Sequence, residues 1–158
     1  MTAPNPSLQK KTAARMAAVQ CLYNNALNEE TVSPAERIEA LKARLKNNRD
    51  EQKLLAGIAV EPNYKLVETI LSGIEKFSAD INKRVDSALS AEWKRERMSP
   101  LLIAILECAT FELFFDKDVN PKIIIDEYTR LTRSFFADSE VNFVHGALSK
   151  LATSHGRI

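Results

Sequence analysis

Leu101-Leu-Ile-Ala-Ile-Leu-Glu-Cys-Ala-Thr-Phe-Glu-Leu-Phe-Phe115 decides the fold class of this chain. Only Glu107, Thr110 and Glu112 interrupt its apolar residues, and Ser99-Pro100 in front of it is a helix start. A helix apolar almost all the way round belongs at the centre of a helical protein, because every face must be covered by a neighbour. The longest unbroken apolar run, Leu101 to Leu106, falls far short of the roughly 20 residues that a bilayer span needs. The stretch is therefore expected to be the core, and no membrane contact is expected.

The segments on either side supply the covering faces. Asn120-Pro121 opens a helix with Ile124, Tyr128, Leu131 and Phe135 inward, and with Lys122, Asp126 and Arg130 as an outward (i, i+4) charge ladder. Asp138 or Ser139 caps a last helix whose inner stripe is Val141, Val144, Leu148 and Leu151. Phe143 lies about 110° from the centre of that stripe, at the edge of the core. On the N-terminal side, Ile81, Val85 and Leu89 mark an amphipathic segment, joined to the apolar helix through the charged run Trp93-Lys-Arg-Glu-Arg97.

Earlier still, Ser33-Pro-Ala-Glu36 is a capping box followed by Ile38, Leu41 and Leu45, ending at Asn47-Asn48. Leu54, Leu55 and Ile58, then Val67, Ile70, Leu71 and Ile74, carry the helical period on either side of Pro62. That proline either starts a new helix or kinks a long one. A first helix is expected from Thr12 to Leu27, behind a polar tail from Met1 to Gln9. Arg15 shares a meridian with Val19, Leu22 and Ala26, and Lys11 stands one turn before it, so the inward stripe turns basic and its N-terminal end should project beyond the core.

Composition agrees with helices. Of 158 residues, 45% are hydrophobic, with only four glycines and six prolines, so the chain can build a core but has little material for strands and hairpin turns. We expect an all-α protein, one domain over residues 1–158, with about seven helices in two packed halves, roughly 10–80 and 81–155. Cys21 and Cys108 stand alone, without a CxxC or a histidine at metal-ligand spacing, which predicts neither disulfide nor zinc and fits a reducing cytoplasm. The N-terminus lacks the apolar stretch of a signal peptide, so a soluble protein is expected.

Nothing in the chain assembles a catalytic group. There is no nucleophile elbow, phosphate-binding glycine loop or metal-ligand pair, and the two histidines lie on a helix and in the tail. His145 reads as a surface or helix-packing residue and not as a general base, and Asp126 and Glu127, adjacent on a helix, do not face each other as an acid/base pair would. No catalytic residue and no cofactor are expected. With a formal net charge of only +1, nucleic-acid binding would have to come from local clustering of cations. Lys10, Lys11 and Arg15 are such a cluster, with no acidic residue among the first 28, and Gln20 and Tyr23 beyond them can hydrogen-bond to or stack on unpaired bases.

The order of several short motifs carries a resemblance. Lys10-Lys-Thr-Ala-Ala-Arg15 leads into Ala18-Val-Gln-Cys-Leu-Tyr23, and Leu54-Leu-Ala-Gly57 follows. Trp93 and Arg97 precede the apolar helix, then come Phe111-Glu-Leu113, Val119-Asn-Pro121, Ile125-Asp-Glu127 and Phe143-Val-His-Gly146. Together they resemble the NusB family over nearly the whole chain, and the variants at Tyr128 and Phe135-Phe136 resemble its alphaproteobacterial branch. Glu107 stands where the family usually has Arg, Asp126 and His145 where it has Asn, and the basic arm is less rich in arginine.

The resemblance implies a small helical RNA-binding protein of transcription antitermination. It would pair with the ribosomal small-subunit protein NusE and bind single-stranded boxA elements in nascent ribosomal RNA. Other antitermination factors and RNA polymerase would be met indirectly. On this reading Lys10, Lys11 and Arg15 meet phosphates, Gln20 and Tyr23 meet bases, and Phe143 stacks on RNA or supports that face. The partner would dock on the C-terminal half, at Lys122, Asp126 and Arg130. Some relatives bury the RNA face in a homodimer, so monomer and homodimer both stay open. Two other readings compete. One is a helical protein-interaction module. The other is a relative of the RNA-binding domain of ribosomal RNA cytosine methyltransferases, expected not to methylate because the chain ends at Ile158 with no cofactor-binding domain.

Overall fold

Four of the seven α-helices among the described residues start at a proline directly behind an Asn or Ser cap. Proline has no N–H to lose in a first turn, and the cap oxygen takes one of the orphaned amides there. The computed structural model describes residues 5–28, 32–47, 61–116 and 118–156. In α1 (Pro6–Asn28), Asn5 Oδ1 accepts from the Ser7 amide at 2.9 Å. In α2 (Pro34–Asn47), Ser33 Oγ accepts from Glu36 at 3.3 Å, as the capping box requires. A third helix, α3 (Tyr64–Lys76), starts without proline at N1, and Asn63 Oδ1 caps it through Leu66 at 3.1 Å.

After α4 (Ser78–Ala88) a single 3₁₀ turn at Arg95–Arg97 leads to α5 (Pro100–Phe115), where Ser99 Oγ accepts from Leu101 at 3.2 Å. Asn120 Oδ1 caps α6 (Pro121–Arg133) through Lys122 at 2.9 Å, and α7 (Asp138–Ser154) follows. Every regular element among the described residues is helical, in agreement with the all-α expectation, and none of these helices is long and apolar enough to cross a membrane.

Two sequence expectations need correction, at the first helix and at Phe135, and the alternative left open at Pro62 is narrowed. The first helix begins at Pro6 and not at Thr12, because Asn5-Pro6 is the same kind of start signal as Asn120-Pro121. Pro62 is inside no described helix: residues 61–63 are non-helical and α3 starts behind Asn63. Phe135, expected inward, is 39% exposed, because α6 stops at Arg133 and a turn carries the ring off the buried stripe. Leu54, Leu55 and Ile58, and the Leu54–Gly57 motif, lie outside the described residues.

The chain forms two compact units, residues 1–72 and 73–158, and the division falls within α3. In the first, Ile38, Leu41 and Leu45 of α2 are buried, and α1 is buried all round from Ala13 to Val19. Alanines at 13, 14, 17 and 18 have no bulk to hold neighbours away, which permits burial on every side. In the second unit α5 packs against α4, α6 and α7, and α7 also packs against α4 and α6. Burial of Leu102, Ala104, Ile105, Leu106, Cys108, Ala109, Phe111 and Leu113 makes α5 its centre, as the apolar pattern demands. The polar Glu112 is buried there too, and its Oε2 accepts from the Tyr128 hydroxyl at 2.5 Å.

Candidate nucleic-acid interface

The candidate RNA-contact residues of α1 are split in two by the burial of its middle. Lys10 is exposed and Lys11 half-buried at its N-terminal end, while Gln20 and Tyr23 are half-buried beyond the buried middle. At about 1.5 Å per residue, Lys11 and Gln20 are separated by roughly 13 Å along the helix. The fold thus brings Lys10 next to Lys11, and Gln20 near Tyr23, without joining the pairs into one patch on α1. The Asn63 amide donates to the Lys10 carbonyl at 3.0 Å, which anchors the backbone beneath the exposed lysine.

Arg15 departs from the expectation. Only 3% exposed, it is a core residue that makes its interactions inside the protein. The helical wheel placed it correctly on the inward meridian. The inference that this end of α1 projects beyond the core fails at Arg15, because the alanines flanking it let the protein close over the guanidinium. A buried cation cannot meet a phosphate in this conformation.

Gln20 lines a cleft of about 130 Å³ together with Cys21 and Asn24 of α1 and Arg37, Ala40, Leu41 and Arg44 of α2. Arg37 also donates to Asn25 Oδ1. Burial pushes the Cys21 thiol above its ordinary value, and the guanidiniums of Arg37 and Arg44 pull it back in part. Both cations therefore act on the cleft floor. Sequence reading did not single them out, and their only signal is the seven-residue spacing that returns a helix to the same face.

In the second unit, Phe143 is half-buried and stacks on Trp93, with ring centroids 4.2 Å apart and planes 15° off parallel. One face of the expected stacking residue is thereby already covered. Trp93 borders a pocket of about 200 Å³, lined also by Glu92, Lys94, Arg97, Met98, Ser99, Leu102, Phe136 and Glu140. The neighbouring cations divide by role. Arg95 pairs with Asp86 at 2.8 Å and faces Glu107 at 3.9 Å, whereas Lys94 and Arg97 are exposed at the pocket. Burial raises the Glu107 carboxyl above its ordinary value, and Arg95 opposes this in part. Trp93 and Phe136 were not foreseen as site residues. A lone tryptophan in a run of charged residues was the available signal.

On α6, Lys122, Asp126 and Arg130 are all exposed, but the charge ladder is not formed as expected. Arg130 turns instead to Glu127, one turn back, at 3.6 Å. Ile123 stands beside them, 50% exposed. His145 is exposed, which selects the surface alternative over helix packing. Among the described residues there is no cluster of His, Cys, Asp and Glu able to hold a metal ion.

Fold and surface together define an all-α protein with cations and an aromatic pocket outside its cores. Comparison with known proteins makes the class specific: the NusB family model matches residues 12–153, and the chain belongs to the NusB family. It is 30% identical over 145 residues to the transcription antitermination protein NusB of Maricaulis maris (strain MCS10), covering 90% of this chain and 85% of that protein. To its namesake in Gluconobacter oxydans (strain 621H) it is 30% identical over 148 residues, covering 94% and 89%. The Caulobacter vibrioides protein of that name is 28% identical over 145 residues, covering 92% and 93%.

Proposed function

We propose that this chain is a transcription antitermination factor that binds boxA-type single-stranded RNA in nascent ribosomal RNA transcripts, jointly with the ribosomal protein NusE. The observation that carries the reading is the family match over residues 12–153, together with relatives named transcription antitermination proteins that align along most of their own length. Electrostatics supports the need for a partner. A chain of net charge +1 offers RNA little global attraction, so affinity must come from local cations and from a second protein.

In this proposal the exposed Lys10 and half-buried Lys11 meet phosphates, and Gln20 and Tyr23 meet bases. Phe143 acts through its stack on Trp93. Arg15 maintains α1 from within. The partner surface is assigned to α6, where Ile123 can supply an apolar centre and Lys122, Asp126 and Arg130 a polar rim.

Fluorescence anisotropy of a labelled boxA RNA, titrated with the protein in the presence and absence of NusE, tests the reading. A clear gain in affinity with NusE is expected. Equal affinity in both titrations would remove the shared-binding mechanism.

A further inference from the structure

The pocket beside Trp93 has an uncommon lining for a surface depression. Lys94 and Arg97 contribute two positive charges and Glu92 and Glu140 two negative ones, so the lining carries no net formal charge. Trp93 and Phe136 add aromatic surface, Met98 and the buried Leu102 an apolar floor. A free phosphate gains little from a lining whose charges cancel. A flat group with apolar faces and a hydrogen-bonding edge gains from every part of it. The volume of about 200 Å³ lies below the roughly 300–1,000 Å³ of pockets that enclose drug-sized ligands, which suits a single planar ring.

We propose that this pocket holds one unstacked RNA base carrying an exocyclic amine, with its faces against Trp93 and Phe136 and its amine toward the carboxylates of Glu92 and Glu140. This rests on the RNA-binding reading above and deepens it. The Trp93–Phe143 stack covers one face of each ring and fixes the indole, so the tryptophan meets the base already ordered and gives up little rotamer freedom on binding. Ser139 Oγ donates to Glu140 Oε2 at 2.9 Å, which orients that carboxylate and leaves Oε1 for the ligand. Carboxylates accept from the amines of cytosine, adenine and guanine, whereas the pairing edge of uracil has one N3–H donor flanked by two carbonyl oxygens, which repel a carboxylate that approaches it. Lys94 and Arg97, both exposed, are placed to take the phosphates on either side of the extruded nucleotide.

Trp93 is the only tryptophan in the chain, so its fluorescence reports on this pocket directly. The full chain, with NusE present, is titrated with a fluorescein-labelled uridine nonamer and with variants carrying one central cytidine or adenosine. Anisotropy and tryptophan emission are read in parallel, the latter with unlabelled RNA. One amino-bearing base should tighten binding at least about fivefold, the lower end of what one good base-edge pairing supplies, and should quench Trp93. The Glu92→Gln/Glu140→Gln variant should keep its helical circular dichroism and lose the preference for the amino-bearing base, because its side-chain amides also donate to uracil carbonyls; an unchanged preference would remove the two carboxylates from base selection. If all three nonamers bind alike and Trp93 does not respond, the base pocket is refuted while the RNA-binding reading stands. If no nonamer binds while boxA RNA does, the base pocket is refuted and the RNA-binding reading stands; if boxA RNA does not bind either, both are refuted.

Discussion

Gly73 yields the space of its missing side chain to the ring of Phe111. A Cβ built on Gly73 would fall within the van der Waals envelope of that ring, with even Cδ1 only 2.6 Å away. The ring cannot easily retreat. Phe111 is buried and stacks with Phe115 at 5.9 Å, and Phe115 in turn stacks on Phe77 at 4.3 Å. The absence of one methyl group thus lets the end of α3 approach α5 closely enough for three aromatic rings to pack in series.

Gly73→Ala should therefore destabilise the protein, although alanine is the better helix former. The propensity gain is at most about 1 kcal/mol, whereas overpacking against a confined ring costs about 1–3 kcal/mol. Urea denaturation should show a lower midpoint for Gly73→Ala and recovery in Gly73→Ala/Phe111→Leu. A midpoint raised by the single change would mean that the ring has room to move.

Tyr128 and Glu112 form a hydrogen bond in a fully buried setting, the hydroxyl donating at 2.5 Å. Tyr128→Phe preserves the ring and its packing but removes this donor from a carboxyl oxygen that water cannot reach. A destabilisation of about 1–3 kcal/mol is expected from equilibrium unfolding, with helical content unchanged. Stability equal to that of the parent protein would show that another donor replaces the phenol.

Glu107 makes stability depend on pH. Burial raises its carboxyl pKa in the folded protein above the ordinary value of 4.5, and nearby Arg95 offsets this only partly. The native state thus holds that proton more tightly than the unfolded chain does. Its contribution is favourable below the ordinary value and is lost as pH rises through the higher folded value. Glu107→Gln keeps the position neutral throughout. Its urea midpoint should exceed that of the parent at pH 7, and the difference should close near pH 4. A lower midpoint at pH 7 would mean that the Arg95 interaction at 3.9 Å outweighs desolvation.

The burial of Arg15 separates two consequences that the linear basic motif would merge. Lys10→Ala/Lys11→Ala should reduce the salt dependence of RNA binding, by a slope of about 0.7 for each single-strand phosphate that is no longer neutralised, with little effect on stability. Arg15→Ala should leave that slope intact and lower unfolding stability by at least about 1.5 kcal/mol, because it deletes the interactions of a charged group. Anisotropy at several salt concentrations and thermal unfolding decide between these outcomes. A flattened salt slope in a normally stable Arg15→Ala protein would return Arg15 to the RNA face.

Much of the helical scaffold was legible from short-range chemistry. Ser33, Ser99 and Asn120 cap the helices that their Ser-Pro and Asn-Pro pairs announce, and the apolar run from Leu101 to Phe115 lies at the centre of its unit, because both signals depend on neighbours within a turn or two. Asn5-Pro6 carries the same signal, masked by the polar residues around it, which resemble a tail. Family membership was also legible, since it depends on the order of motifs and not on their packing.

What the chain determined by itself was where helices begin, which faces are apolar and which family the motifs belong to, since these follow from local hydrogen bonding and a fixed period. Only the tertiary structure decided that Arg15 is buried while Lys10 is exposed, that Trp93 covers Phe143, and that Glu92, Lys94, Arg97 and Glu140 border one pocket. Those outcomes depend on how closely segments distant in sequence approach. Helical periodicity gives a side chain its direction from the axis, but what it meets there is set by the bulk of residues on other helices.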